Sequence, residues 1–225
     1  MHIILCTVRK NLPSRGKMDR VQEITLSSLC DSDFVKPFRM NYTQNGIEKI
    51  WDLIKIHNSV SIFIYNTTRN VLVFVKQFRP AVYLASIPEH DRGMKIDTSK
   101  YPPESGITLE LCAGIVDKDL PLEEIARTEV LEECGYDVPV SKFERIIAYR
   151  SGIGVSGDKQ TIFYTEVTDN MKVGEGGGNL EEGEFIEVVE MTIPEAKKYV
   201  DKGTVQSPGA FIFALFWFFQ NKCTS

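Results

Sequence analysis

Residues 114–137 read GIVDKDLPLEEIARTEVLEECGYD, and this stretch decides how the rest of the chain is read. Leu122, Ile125, Ala126 and Val130 recur at helical spacing, and Pro121 suits a first helical turn. The helix therefore opens near Pro121 and stops at Gly135, which can take the left-handed conformation that ends helices. Three carboxylates crowd its last turns: Glu129, Glu132 and Glu133. Positions i, i+3 and i+4 share a face, so these like charges repel, and the helix dipole opposes them as well. A solvated glutamate face is the plain explanation. A bound cation is the one that offsets the repulsion. Oxygen ligands select a hard ion, Mg²⁺ or Mn²⁺, and Mg²⁺ commonly binds one or two carboxylates together with substrate phosphates.

Outward from this helix the chain alternates strands and loops. SVSIFIY and VLVFVKQF are β-branched and aromatic runs separated by NTTRN, which predicts a hairpin. Upstream, RVQEITL and KIWDLIKIH read as shorter strands of an N-terminal β element, residues 1–56, set before a main domain at 57–225. Residues 84–106 lack periodicity and read as a long surface loop. ITLELCAGIVD is a strand that runs into a turn at Ala113-Gly114. FERIIAY, QTIFYTEV and FIEVVEM are further strands, and GEGGGNLEEGE is a glycine-rich acidic loop. IPEAKKYVDKG and PGAFIFALFWFFQ close the chain as helices. Strands do not alternate regularly with helices, so the fold class is α+β, a mixed sandwich and not a doubly wound parallel sheet.

Composition excludes several classes of function. The net charge of -5 gives no basic face for nucleic acid. The longest apolar run, Ala210 to Phe219, is too short to span a bilayer. Five cysteines without zinc-site spacing read as reduced thiols, which points to the cytoplasm. Arg9, Lys10, Arg15, Lys17 and Arg20 against Asp19 alone lean toward a targeting peptide, but a secretory apolar core is lacking.

The stretch from Gly114 to Tyr136 resembles the motif of the Nudix hydrolases, with Gly114, Glu129, Val130, Glu132, Glu133 and Gly135 in register. Two positions depart from that pattern: Leu120 stands for a glutamate and Thr128 for an arginine. Losing both members of an ion pair leaves no buried charge alone, and Glu123 with Arg127 offers a substitute pair at i, i+4. VKQFRPAVY, LELCAG and NLEEGEFIEVVEM are similar to the ADP-ribose and nucleoside-diphosphate-sugar branch, and YTQNGIEKIWD, VKQFRPAVY, ELCAGIVD and EECGY together resemble its enzymes that split UDP-glucose.

The resemblance implies an α/β/α sandwich with a mixed sheet, a homodimer formed through the N-terminal β element, and Mg²⁺-dependent hydrolysis of a nucleoside diphosphate sugar. UDP-glucose would give UMP and glucose 1-phosphate. ADP-ribose is the rival substrate, and a non-catalytic binding module is the rival class. Glu129 and Glu133 match metal ligands, Glu132 supports them, and the Ala113 carbonyl adds a ligand. Two or more ions about 4 Å apart would neutralise the diphosphate and activate a water. Glu182 and Glu184 match the base and a further metal contact, on a loop whose glycines would let it close over substrate. Arg79 matches a phosphate-facing arginine. Glu110 is a contact to the nucleotide or ribose or a structural partner, and Trp51 stacks on a base or lies buried or in an interface.

Overall fold

The computed structural model describes residues 21–29, 32 and 35–223. The basic leading segment with its targeting expectation, and Cys6 and Cys30, lie outside the described residues.

Two sheets form. The first is an antiparallel ribbon of β1 (Lys36–Gln44) and β2 (Ile47–Lys55). The second has seven strands: β3 (Ser59–Asn66), β4 (Val71–Phe78), β5 (Ile107–Glu110), β6 (Cys112–Ile115), β7 (Glu144–Arg150), β8 (Lys159–Val167) and β9 (Glu187–Thr192). Its path runs β5-β4-β3-β8-β7, with β6 paired to β3 and β9 to β4. Only β3 and β8 run parallel; every other pair is antiparallel, so the sheet is mixed.

Helices cover both faces. α1 (Pro80–Ser86) follows β4, and α2 (Leu122–Cys134) follows β6. α3 (Ile193–Val200) and α4 (Gly209–Asn221) close the chain. On one face Val60, Ile62 and Ile64 of β3 pack with Ile125, Ala126 and Val130 of α2. On the other, Phe63 and Phe74 pack with Phe211, Ala214, Leu215 and Phe218 of α4. β3 is therefore buried on both sides, which is why its centre, Ile62 to Tyr65, reads as a continuous apolar run. The expected α/β/α sandwich is the observed one.

Three expectations need correction. RVQEITL is not a strand: Thr25 makes one isolated bridge to Lys95, and Ile24 and Leu26 pack on Tyr83, Ile87 and Ile96. Residues 84–106 are not merely a surface loop. They hold α1's end and two 3-10 turns around that same small core, with Ile87 and Ile96 buried. Ala113 and Gly114 lie inside β6 and make no turn; the strand breaks earlier, at Leu111. β1 was not foreseen, although Asn45-Gly46, both at positive φ, is a two-residue hairpin signal.

Candidate active site

The carboxylate helix is held against β6 by close contacts. The Ala113 N–H donates to the fully buried Glu133 carboxylate at 3.1 Å. Ala113 pairs with Ser61 across an antiparallel ladder, where the N–H and C=O of one residue leave on the same side. The Ala113 carbonyl therefore also points away from β3, to the side of Glu133. One turn earlier on α2, Glu129 folds over Gly114: a Cβ there would stand 2.1 Å from the Glu129 carboxyl. Gly114 is thus glycine because a carboxyl group occupies the space a side chain would need.

Burial pushes the Glu129 carboxyl up, and Glu133, Glu132 and Glu184 push it further; Lys118 pulls back, and the result lies at about 9. This cluster is short of positive charge. Glu132 is exposed on the same helix. Glu184 reaches the cluster from the acidic loop, where its Oε2 accepts from the Asn179 N–H at 2.9 Å. Glu182 closes the short 3-10 turn Leu180–Glu182 in that loop.

Among the described residues, no three carboxylate, thiol or imidazole groups stand close enough to hold an ion as placed. The donor chemistry nevertheless suits a hard divalent cation: oxygen atoms only, one carboxyl seated in a glycine cradle, and excess negative charge.

The other candidates fall elsewhere. Arg79 Nε and Nη2 donate to Glu110 Oε1 and Oε2 at 2.8 and 2.7 Å, so each has the other as its partner. Burial acts to raise the Glu110 carboxyl, but the Arg79 and Thr108 hydrogen bonds hold it down at about 2. Trp51 belongs to the separate β1–β2 ribbon; it is half-exposed and its Nε1 donates to the Gly154 carbonyl at 2.8 Å. The loop 151–158 is thereby tied to β2, with a second bond from Ile54 N–H to the Val155 carbonyl. Arg127 pairs with Asp137 at 2.9 Å and not with Glu123, because the chain turns back at Gly135 and brings Asp137 alongside.

Sequence reasoning missed how the helix end is held. Gly177 and Gly178 donate to the carbonyls of Glu133 and Glu132 at 2.8 and 3.1 Å, and Lys172 Nζ reaches the Cys134 carbonyl at 3.3 Å. Just beyond, Tyr136 is gripped by Asn66 and Arg69, and Arg69 also binds Asp169 and Glu190. The glycine run was visible in the sequence; its partner was not.

No protein-family model matches the chain. It is 39% identical over 212 residues to the uridine diphosphate glucose pyrophosphatase NUDT14 of Mus musculus, covering 90% of this chain and 96% of the relative. The Bos taurus protein of that name is 40% identical over 213 residues, with the same coverage. The GDP-mannose pyrophosphatase of Escherichia coli (strain K12) is 33% identical over 150 residues, 66% of this chain and 67% of the relative. With these relatives, and with the helix, glycine cradle and carboxylates in place, the chain belongs to the Nudix family of nucleoside diphosphate sugar pyrophosphatases.

Proposed function

We propose that the protein hydrolyses the diphosphate bond of UDP-glucose to UMP and glucose 1-phosphate, with Mg²⁺ bound by Glu129, Glu133, Glu132 and the Ala113 carbonyl; Mn²⁺ fits the same donors. The observation that carries this reading is the seating of Glu129 over Gly114 beside a Glu133 already oriented by the Ala113 amide. Family membership itself implies a divalent metal. Bound there, the metal would supply charge neutralisation for the diphosphate and an activated water.

The chain's own share is positioning and proton handling. Buried Glu133 is held in one orientation by the Ala113 N–H, so little reorganisation is needed when charge develops. Glu184, anchored on the Asn179 N–H, orients the water and takes its proton, with Glu182 of the same loop as the alternative. Glu110 holds Arg79 with its guanidinium plane fixed, and a diphosphate would have to meet the edge left over.

The names of the two relatives that cover 90% of the chain support a UDP-sugar over other substrates. The test is phosphate release, with a phosphatase added, from UDP-glucose, ADP-ribose and GDP-mannose in Mg²⁺ and in EDTA. Faster turnover of UDP-glucose, abolished by EDTA, is expected. Equal or faster turnover of ADP-ribose would overturn the substrate assignment, and no turnover of any would favour a binding module.

We take 57–225 as the catalytic domain and 1–56 as an appended element that pairs with a second copy. In the ribbon, Phe38, Met40, Ile47 and Trp51 lie on one face and are 45% or more exposed. A two-stranded ribbon is marginal by itself and gains from covering such a face. Light scattering should give a dimer mass, and Met40→Glu a monomer. Among the described residues no helix is long and apolar enough to cross a membrane. The free thiols of Cys112, Cys134 and Cys223 support the cytoplasm as the compartment.

A further inference from the structure

The acidic loop and the carboxylate helix are joined by main-chain bonds. A helix leaves its last carbonyls without partners inside the helix. Here Gly135, at φ 75, turns the chain, and its N–H bonds back to the Leu131 carbonyl at 3.0 Å, with the Tyr136 N–H on Val130 at 3.3 Å. The carbonyls that follow are taken by one segment. Gly178 N–H donates to Glu132, Gly177 N–H to Glu133, and Val173 and Gly174 N–H to Gly135. Lys172 Nζ takes the Cys134 carbonyl, a cation where the helix dipole favours one.

At Gly176 and Gly135 this approach requires bare backbone. A Cβ at Gly176 would stand 2.2 Å from the Glu133 carbonyl oxygen, and one at Gly135 would stand 2.0 Å from the Gly174 oxygen. Gly176, Gly177 and Gly178 all sit at positive φ. The chain leaving this cap closes at once into the acidic turn. Glu184 N–H bonds to the Asn179 carbonyl, its carboxylate to the Asn179 N–H, and Ile186 N–H returns to the Gly177 carbonyl. The glycines therefore bring backbones together, a use separate from letting the loop close over substrate.

We infer that Gly176–Gly178 is a positioning element of the active site, which locks the Glu184 turn to the C-terminal end of α2 so that Glu129, Glu133 and Glu184 stay in one fixed arrangement. Gly176 is the positioning residue, acting through Glu184. This rests on the hydrolase reading above.

The test is a double-mutant cycle on UDP-glucose turnover with Gly176→Ala and Glu184→Gln. Gly176→Ala should lower kcat by about a hundredfold with KM little changed, the scale of misplacing a reacting group by about 1 Å. In the Glu184→Gln background the same change should cost less than about threefold, because groups acting as a unit are not additive. Gly174→Ala, whose Cβ meets open space, should stay within about twofold of the unaltered rate. Equal losses in both backgrounds would overturn the inference while leaving the hydrolase reading intact. Native-state hydrogen exchange on the unaltered protein needs neither a folded variant nor turnover: Gly177 and Gly178 amides should exchange with the Gly135 amide as one opening unit. Exchange of the two loop amides at unprotected rates would also overturn it.

Discussion

The Glu129 carboxyl occupies the space in which Gly114 would carry a side chain, with 2.1 Å between the carboxyl carbon and an ideal Cβ. Any side chain at 114 would require Glu129 to leave this position, because its carboxyl and Cγ are what a Cβ would meet. Gly114→Ala should therefore push Glu129 off its seat and lower turnover by about a hundredfold. Stability should fall less, because the flexible glutamate can rotate toward solvent. Turnover and a thermal melt on the same preparation check this; an unchanged kcat would remove Glu129 from the site.

Glu133→Gln keeps the size of the side chain and removes its charge. With the Ala113 N–H still seeking an acceptor, the amide oxygen can take that bond and the fold should persist. Turnover should drop at least about a hundredfold, the loss seen when one preorganised charge-stabilising group is removed. Near-normal turnover at saturating Mg²⁺ would sink the metal assignment.

Thr128→Arg restores a motif residue without its partner. Thr128 Oγ1 donates to the Glu124 carbonyl at 3.0 Å, and Leu120 is 49% exposed. An added guanidinium would meet no buried carboxylate at position 120, so the rate should stay within about twofold. A large gain would show that the missing arginine limits catalysis.

Glu129 also sets a pH dependence. In the metal-free protein its carboxyl lies at about 9, raised by burial and then by Glu133, Glu132 and Glu184. An unfolded glutamate titrates near about 4.3. Because the folded value is the higher one, this group's contribution is full below about pH 4 and is lost as pH rises toward about 9. Stability in EDTA should fall across that window, and less so in Glu129→Gln. Mg²⁺ replaces the proton, so its stabilisation should be larger near about pH 9 than near about pH 6. Melts with Mg²⁺ and with EDTA at the two pH values read the difference; equal stabilisation would contradict it.

The sequence by itself determined the local elements. The 3.6-residue spacing of Leu122, Ile125, Ala126 and Val130 and the αL glycine at 135 placed α2 at both ends, since both signals are local backbone and side-chain preferences. The motif in register with Gly114, Glu129, Glu132 and Glu133 carried the family. It could not place RVQEITL, where apolar alternation was recruited by Tyr83, Ile87 and Ile96 instead of by a sheet. Tertiary structure alone decided that Arg79 and Glu110 face each other, because they lie thirty-one residues apart and meet only through the β4–β5 register. It decided likewise that Arg127 pairs with Asp137 and that Gly176 sits on the Glu133 carbonyl. A glycine in a sequence reads equally as a turn, a hinge or a close approach. Which one holds depends on what the rest of the chain places 2.2 Å from the side chain it lacks.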